Sequence, residues 1–104
     1  MQNSKSNVAT LKALASPVRI AILDYLKDPA GNFPPQVDGD PVGDGICADY
    51  IREKLGISPA TASRHLTLLA DCGFLVATRR KGWTFYRRDE DAIRRFADRL
   101  RAEL

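Results

Sequence analysis

The chain has 104 residues, of which 44% are hydrophobic and 28% are charged, and its formal net charge is +3. This length allows one domain, residues 1–104, with a modest core. No run approaches the roughly 18 apolar residues of a membrane-spanning helix, and the N-terminal MQNSKSN lacks the apolar segment of a secretory signal. We therefore expect a cytoplasmic protein with no membrane partner, whose two cysteines are reduced.

Two short helices are predicted near the N-terminus. Apolar residues one turn apart predict the first over residues 8–14, after a polar arm. Ser16 and Pro17 predict the start of the second, because a serine hydroxyl can accept from a free backbone N–H and proline loses no bond at the first helical position. This helix is expected to end near Lys27. Arg19 either bridges to a carboxylate or a helix end, or stays on the surface.

Residues 28–45, called here the inserted segment, are rich in glycine and proline and form a longer connection than helices usually have. The aspartates of this segment lack the spacing and the closing glutamate of an EF-hand loop, so no metal site is predicted there. We expect Phe33, Val37 and Val42 to pin the segment onto the body of the domain, near an oligomer interface or over a ligand pocket.

Residues 46–73 contain two short apolar-periodic stretches that are separated by Gly56. The second opens with Ser58 and Pro59, a strong helix start, and ends at Gly73, where glycine takes a left-handed conformation at little cost. Two helices joined by a tight glycine-containing turn are the sequence form of a helix-turn-helix. The alternative is an ordinary helical hairpin with solvated serines and threonines.

The second of these helices carries polar residues early, mostly off its apolar stripe. They are Thr61, Ser63, Arg64 and His65. Small hydrogen-bonding side chains and an arginine in the first two turns suit base edges in the major groove of DNA. We expect Ser58 and the neighbouring N–H groups to hold a phosphate. The one histidine of the chain is assigned either to DNA contact or to packing within the helix pair.

Residues 75–88 contain strand-forming residues on both sides of a basic tip, which predicts a two-stranded hairpin, or wing. Residues 52–88 hold eight basic and two acidic residues, a net charge of +6, whereas both flanking segments are slightly acidic. This distribution favours phosphate contacts, although a charged hairpin is also a common protection against aggregation. The hairpin residues expected to contact DNA are Arg79, Arg80 and Lys81.

A final helix is predicted over residues 90–104, where apolar residues recur at helical spacing. The apolar stripe of this helix packs either onto the core of its own chain or against the first helix and its copy in a two-fold-related chain. We expect the second arrangement. Such a homodimer would set two recognition helices about 34 Å apart. The residues expected at the dimer interface are Val8, Leu11, Ile93, Phe96, Ala97 and Leu100.

Three stretches together resemble the ArsR/SmtB family of winged helix-turn-helix repressors. They are residues 11–19 (LKALASPVR), residues 58–69 with their Ser-Arg-His-Leu core, and residues 77–80 leading to Tyr86. The resemblance covers nearly the whole chain apart from the inserted segment. It implies a mainly α fold with a small β-hairpin, about five helices plus a two-stranded wing. It also implies a bacterial homodimer that binds a palindromic operator and is released by an inducer.

The usual metal sites of that family are incomplete in this sequence. Cys47 and Asp49 fall on the positions of its Cys-x-Cys pair, and one thiolate with one carboxylate is an incomplete soft-metal site. The other site uses histidines of the last helix, which has none. We therefore expect no metal and no cofactor. A small organic inducer, or regulation by expression level alone, is the main expectation.

Two further alternatives stay open and one class is excluded. Cys47 and Cys72 could form a redox switch if their Cα atoms came within about 7 Å. A winged helix can also be a protein-interaction module without specific DNA binding. An enzyme is not expected, because the sequence has no Gly-rich phosphate loop, no Gly-x-Ser-x-Gly turn and no paired-histidine metal spacing.

Overall fold

The computed structural model describes residues 4–104. Within them the chain forms six helices and three strands. In chain order they are α1 (Ser4–Leu14), α2 (Pro17–Tyr25), α3 (Pro29–Asn32), β1 (Ile46–Cys47), α4 (Ala48–Leu55), α5 (Pro59–Asp71), β2 (Leu75–Arg80), β3 (Trp83–Arg88) and α6 (Glu90–Glu103). This is the winged helix-turn-helix that the sequence predicts, with one more helix and one more strand. No described helix is both long and apolar enough to cross a membrane.

Capping residues set the ends of the helix pair as the sequence indicates. The Oγ atom of Ser58 accepts a hydrogen bond from the backbone N–H of Thr61 at 3.2 Å and opens α5. Gly56, with φ of 68°, closes α4 in the left-handed conformation. Ser16 caps α2 in the same way as Ser58 caps α5, accepting from the N–H of Arg19 at 3.3 Å. The polar arm expected before residue 8 is helical from Ser4, and residues 1–3 lie outside the described part.

The sheet has the strand order β1-β3-β2 and is antiparallel throughout. In the wing, Arg80 pairs with Trp83, so Lys81 and Gly82 form the two-residue turn, both with positive φ as a hairpin of this kind requires. The wing was predicted with two strands. The third, β1, was missed because two residues are too few to show an alternating pattern.

The core lies between the helix pair, α2 and the sheet. Its largest side chains that are less than 2% exposed are Ile22, Ile46, Ile51, Leu66, Leu69 and Phe85. Because Ala62, Leu66 and Leu69 turn one face of α5 into this core, the opposite face of the helix is directed at solvent.

The prediction for the apolar residues of the inserted segment is right at one position and wrong at two. Phe33 is buried, with its ring edge-on to Tyr25 at 6.4 Å between centroids. Val37 and Val42 are 96% and 76% exposed, so neither side chain anchors the inserted segment to the domain. The segment also contains the short helix α3, which Asp28 caps through the N–H of Gly31.

Polar and glycine contacts hold the rest of the inserted segment. The Gln36 amide accepts from the N–H of Cys47 at 2.7 Å and donates to the carbonyl of Gly45 at 3.0 Å. Gly39 lies close to the Phe85 ring, where an added Cβ would come within 2.6 Å of a ring carbon. These contacts replace the anchors expected from the valines and attach the segment to the sheet.

Candidate nucleic-acid interface

The solvent-facing side of α5 is the centre of the candidate interface. Ser58, Ser63 and Arg64 are exposed and Thr61 is half-buried, so the polar residues predicted for DNA contact share the first two turns. The hydroxyl of Ser58 also donates to that of Thr61 at 2.9 Å. Thr67 was missed, although its spacing of three from Arg64 places it on the same face.

A depression of about 750 Å³ borders this face. It is lined by α5 side chains together with Arg19 of α2. Arg64 lies in its wall, is exposed, and forms no ion pair with any carboxylate of residues 4–104. An arginine without a carboxylate partner keeps its five N–H donors available for a base or a phosphate.

The side chain of His65 contacts that of Arg19. Nη1 of Arg19 lies 2.9 Å from Nδ1 of His65, and Nε of the same arginine donates to the carbonyl of Ala13. Arginine has no acceptor, so Nδ1 must accept and the neutral ring carries its proton on Nε2. Burial, followed by the charges of Arg19 and Arg64, lowers the pKa of His65 below 6.5. Of the two roles predicted for Arg19, the bridge to a helix end is the observed one.

The three wing cations predicted to contact DNA are engaged within the chain. Arg79 donates to Oγ1 of Thr84 at 3.1 Å. Nε of Arg80 lies 3.1 Å from Oδ1 of Asp44, and Nζ of Lys81 lies 3.3 Å from Oδ1 of Asp38. Both aspartates belong to the inserted segment, so its acidic residues meet the basic tip of the wing.

The carboxylate of Asp44 is itself positioned by the backbone. It accepts from the N–H of Asp40 at 2.9 Å, and this hydrogen bond, opposed by burial and supported by Arg80, lowers its pKa. Its side chain is only 13% exposed, whereas that of Arg80 is 60% exposed. No local sequence signal could have paired these residues, which are 36 positions apart.

Arg88, counted above with the basic segment, has a structural role. Its side chain is 10% exposed, and it donates to the carbonyl of Leu23 at 2.9 Å and to Glu90 at 2.8 Å. It therefore ties the end of the wing to α2 and to the start of α6. Residues 52–88 therefore offer less charge to DNA than their net +6 suggests.

The residues predicted for a dimer interface divide into two groups. Val8 and Leu11 are 49% and 40% exposed, and Ala97 is also exposed. Phe96 is only 6% exposed and packs edge-on against Phe74 at 5.5 Å, so little of its surface is left for a partner. The last two, Ile93 and Leu100, are partly buried against the same core.

The cysteines are both free thiols. Cys47 is buried in β1, and Cys72 is half-buried after α5. Burial, with the charge of Asp71, raises the pKa of Cys72, which reduces the reactive thiolate form. Across residues 4–104, no three side chains of His, Cys, Asp or Glu are grouped as a metal ion requires.

Comparison with known proteins places the chain in a family. No family model matches it. The uncharacterized HTH-type transcriptional regulator YbzH of Bacillus subtilis (strain 168) is 38% identical over 97 residues, which cover 93% of this chain and 97% of YbzH. In Mycobacterium bovis, a homodimeric winged helix-turn-helix DNA-binding domain of a possible ArsR-family regulator is 28% identical, with a TM-score of 0.61 over 92% of this chain and 77% of its own.

A third protein shares the fold at lower identity. The ArsR-like transcriptional regulator from Rhodococcus sp. RHA1 is 19% identical, with a TM-score of 0.68 over 99% of this chain and 86% of its own. The close relative and the shared architecture agree with the exposed polar face of α5. The chain belongs to the ArsR-like family of winged helix-turn-helix transcriptional regulators, which are DNA-binding proteins and not enzymes.

Proposed function

We propose that this regulator is a homodimeric repressor that binds a palindromic operator with α5 in the major groove and leaves it when an inducer binds. The observation that carries the proposal is the exposed face of α5, where Arg64 has no carboxylate partner among the described residues. Its position distinguishes Arg64 from the other exposed arginines. It lies beside serine and threonine hydroxyls in the first two turns of a helix, which suits recognition of bases.

We assign roles within the helix from the positions and the chemistry of its side chains. Arg64 is assigned the bidentate contact to a guanine, worth about 1 to 3 kcal/mol of discrimination. Ser63 and Thr61 are assigned to neighbouring bases or phosphates, and Ser58 marks the helix N-terminus, where backbone N–H groups attract a phosphate. His65 can contribute one donor, Nε2, because Arg19 occupies its other nitrogen.

The dimer is supported by exposed apolar side chains on the first and last helices. Val8 and Leu11 lie one turn apart on α1 and keep much of their surface in solvent, with Ala97 exposed on α6. Burial of such a patch against its two-fold copy is the simplest way to remove it from water. The homodimeric state of the Mycobacterium bovis domain is consistent with this arrangement.

The alternatives are less well supported. Thiol sensing would need a reactive cysteine, whereas Cys47 is buried and the pKa of Cys72 is raised. A protein-interaction module would not need a free arginine among hydroxyls on α5. An organic inducer that acts through the inserted segment fits the proposal, because this segment contacts the wing directly.

The test is binding of the purified protein to its own upstream DNA over a series of salt concentrations. Arg64→Ala should weaken binding to the specific site about 10-fold or more. It should also lower the ratio of the affinity for this site to the affinity for unrelated DNA. Arg95→Ala, an exposed arginine on α6, is the matched control and should leave that ratio unchanged. If Arg64→Ala left discrimination intact, the assignment of α5 as the reading helix would be wrong.

A further inference from the structure

A second cavity, of about 220 Å³, lies between the inserted segment, the start of α4 and the strand β3. It does not overlap the exposed face of α5. Its walls include three aromatic rings and three carboxylates, which are those of Tyr50, Trp83, Phe85, Asp38, Asp49 and Glu53. The inserted segment, which the family resemblance does not cover, supplies one side of this cavity.

The aromatic wall is partly open to solvent. Trp83 is 46% exposed although it is the largest apolar side chain of the chain, and Val37 at the rim is 96% exposed. Phe85 is buried beneath them and is covered on one side by Gly39. The faces of such rings carry negative electrostatic potential and attract organic cations within about 6 Å. A ligand in the cavity would cover this apolar surface.

The charged wall of the cavity also favours a cation. Among the described side chains, no lysine or arginine lines the cavity. Outside it, Arg52 is shared between Asp49 at 3.4 Å and Glu53 at 3.8 Å, and Lys81 pairs with Asp38 at 3.3 Å. Two cations facing three carboxylates leave one negative charge unbalanced, which favours a ligand with a single positive charge.

We propose that this cavity binds a small organic monocation of the alkylammonium class, seated on the rings of Tyr50 and Trp83 with its charge towards the carboxylates. Its volume lies below the roughly 300 to 1,000 Å³ of sites for drug-sized molecules, so the ligand is a small one. The site is separate from the exposed face of α5. Asp38 lines the cavity and also pairs with Lys81, so occupancy is linked to the charge available at the wing tip.

Choline is the probe, and 3,3-dimethylbutan-1-ol, which has the same shape without the charge, is its neutral partner. Trp83 is the single tryptophan of the chain, so its fluorescence reports the cavity directly. Choline should change the emission saturably at ionic strength held constant with sodium chloride. The neutral alcohol should bind about 10-fold more weakly. Calorimetry on the same samples measures binding without relying on emission.

Two variants locate the site. Asp38→Asn and Glu53→Gln should each weaken choline binding several-fold while binding of the neutral alcohol stays the same. Asp24→Asn is the matched control, because Asp24 is an exposed carboxylate on α2 that pairs with Lys27 at 3.6 Å outside the cavity. Melting temperatures confirm that each variant is folded.

Three results would overturn the proposal. They are equal binding of choline and the alcohol, choline binding that both cavity variants leave unchanged, and no saturable signal by fluorescence or by calorimetry. The experiments contain no DNA, so their failure would leave the repressor proposal untouched, and a failure of operator binding would leave this site untouched.

Discussion

Arg19 of α2 donates from Nη1 to Nδ1 of His65 over 2.9 Å, and its Nε donates to the carbonyl of Ala13 near the end of α1. One guanidinium group thus joins α1, α2 and α5. The angle of α5 depends on this contact as well as on the core beneath it.

Replacing Arg19 with methionine keeps most of the side-chain length and removes both hydrogen bonds. The Ala13 carbonyl and His65 lose their partner, so the free energy of unfolding should fall by about 1 to 3 kcal/mol. Urea denaturation measures the change. Arg64→Met is the control and should stay within about 0.5 kcal/mol of the parent protein, because Arg64 is exposed. Equal effects of the two changes would contradict a bridging role for Arg19.

His65 should make the folded chain less stable as the pH becomes acidic. Its pKa is lowered in the folded chain, so folding favours the neutral ring. The resulting stabilisation is complete above the unfolded value of 6.5 and is lost as the pH falls towards and through the folded pKa. The urea concentration at the midpoint of unfolding should therefore fall as the pH is lowered from 7.5 to 5.5. In His65→Gln most of this slope should vanish, since the chain has no other histidine.

The sequence predicts the helix pair well because its signals are local. Ser58 and Gly56 act within one helical turn of the atoms they satisfy, and their observed caps match the prediction. The pairing of Asp38 with Lys81 spans 43 positions and leaves no local pattern. The contact of Phe96 with Phe74 could not be predicted, because an apolar stripe shows which face of a helix is buried, but not whether the same chain or a second copy buries it.

The aspartates of the inserted segment should weaken DNA binding. Asp38→Asn with Asp44→Asn frees Lys81 and Arg80 for phosphates. Affinity for DNA at low salt should rise, and the slope of log K against log salt should steepen by up to about 2. The control is the double variant Asp24→Asn with Asp98→Asn, on α2 and α6. It changes the net charge of the chain by the same amount. If both double variants raised affinity alike, long-range charge and not release of the wing tip would explain the effect.

Gly45 should tolerate alanine poorly. Its φ is +106°, and an added Cβ would overlap the backbone carbonyl of Tyr86 in the neighbouring strand. Gly56 is the matched control, with φ of +68° and nothing within 4 Å of an added Cβ. Gly56→Ala should cost about 1 kcal/mol from backbone strain alone, and Gly45→Ala clearly more. Thermal or urea denaturation compares them, and equal losses would mean that the strand contact relaxes.

Charge on α1 should dissociate the proposed dimer. Leu11→Glu places a carboxylate in the exposed apolar patch of α1, where a two-fold copy would bring two like charges together. Sedimentation equilibrium should show a monomer, against a dimer for the parent protein. Val42→Glu, on an exposed valine of the inserted segment, should leave the mass unchanged. A dimer that persists in Leu11→Glu would move the interface away from α1.

The strand β1 consists of Ile46 and Cys47 alone, yet it pairs with β3 and continues directly into α4. The wing is thereby tied along one edge to the helix pair, so its conformational entropy is lost when the chain folds and not when it meets DNA. Association should then proceed as an encounter of nearly rigid surfaces, with a rate set by electrostatic steering and not by the slow ordering of a loop.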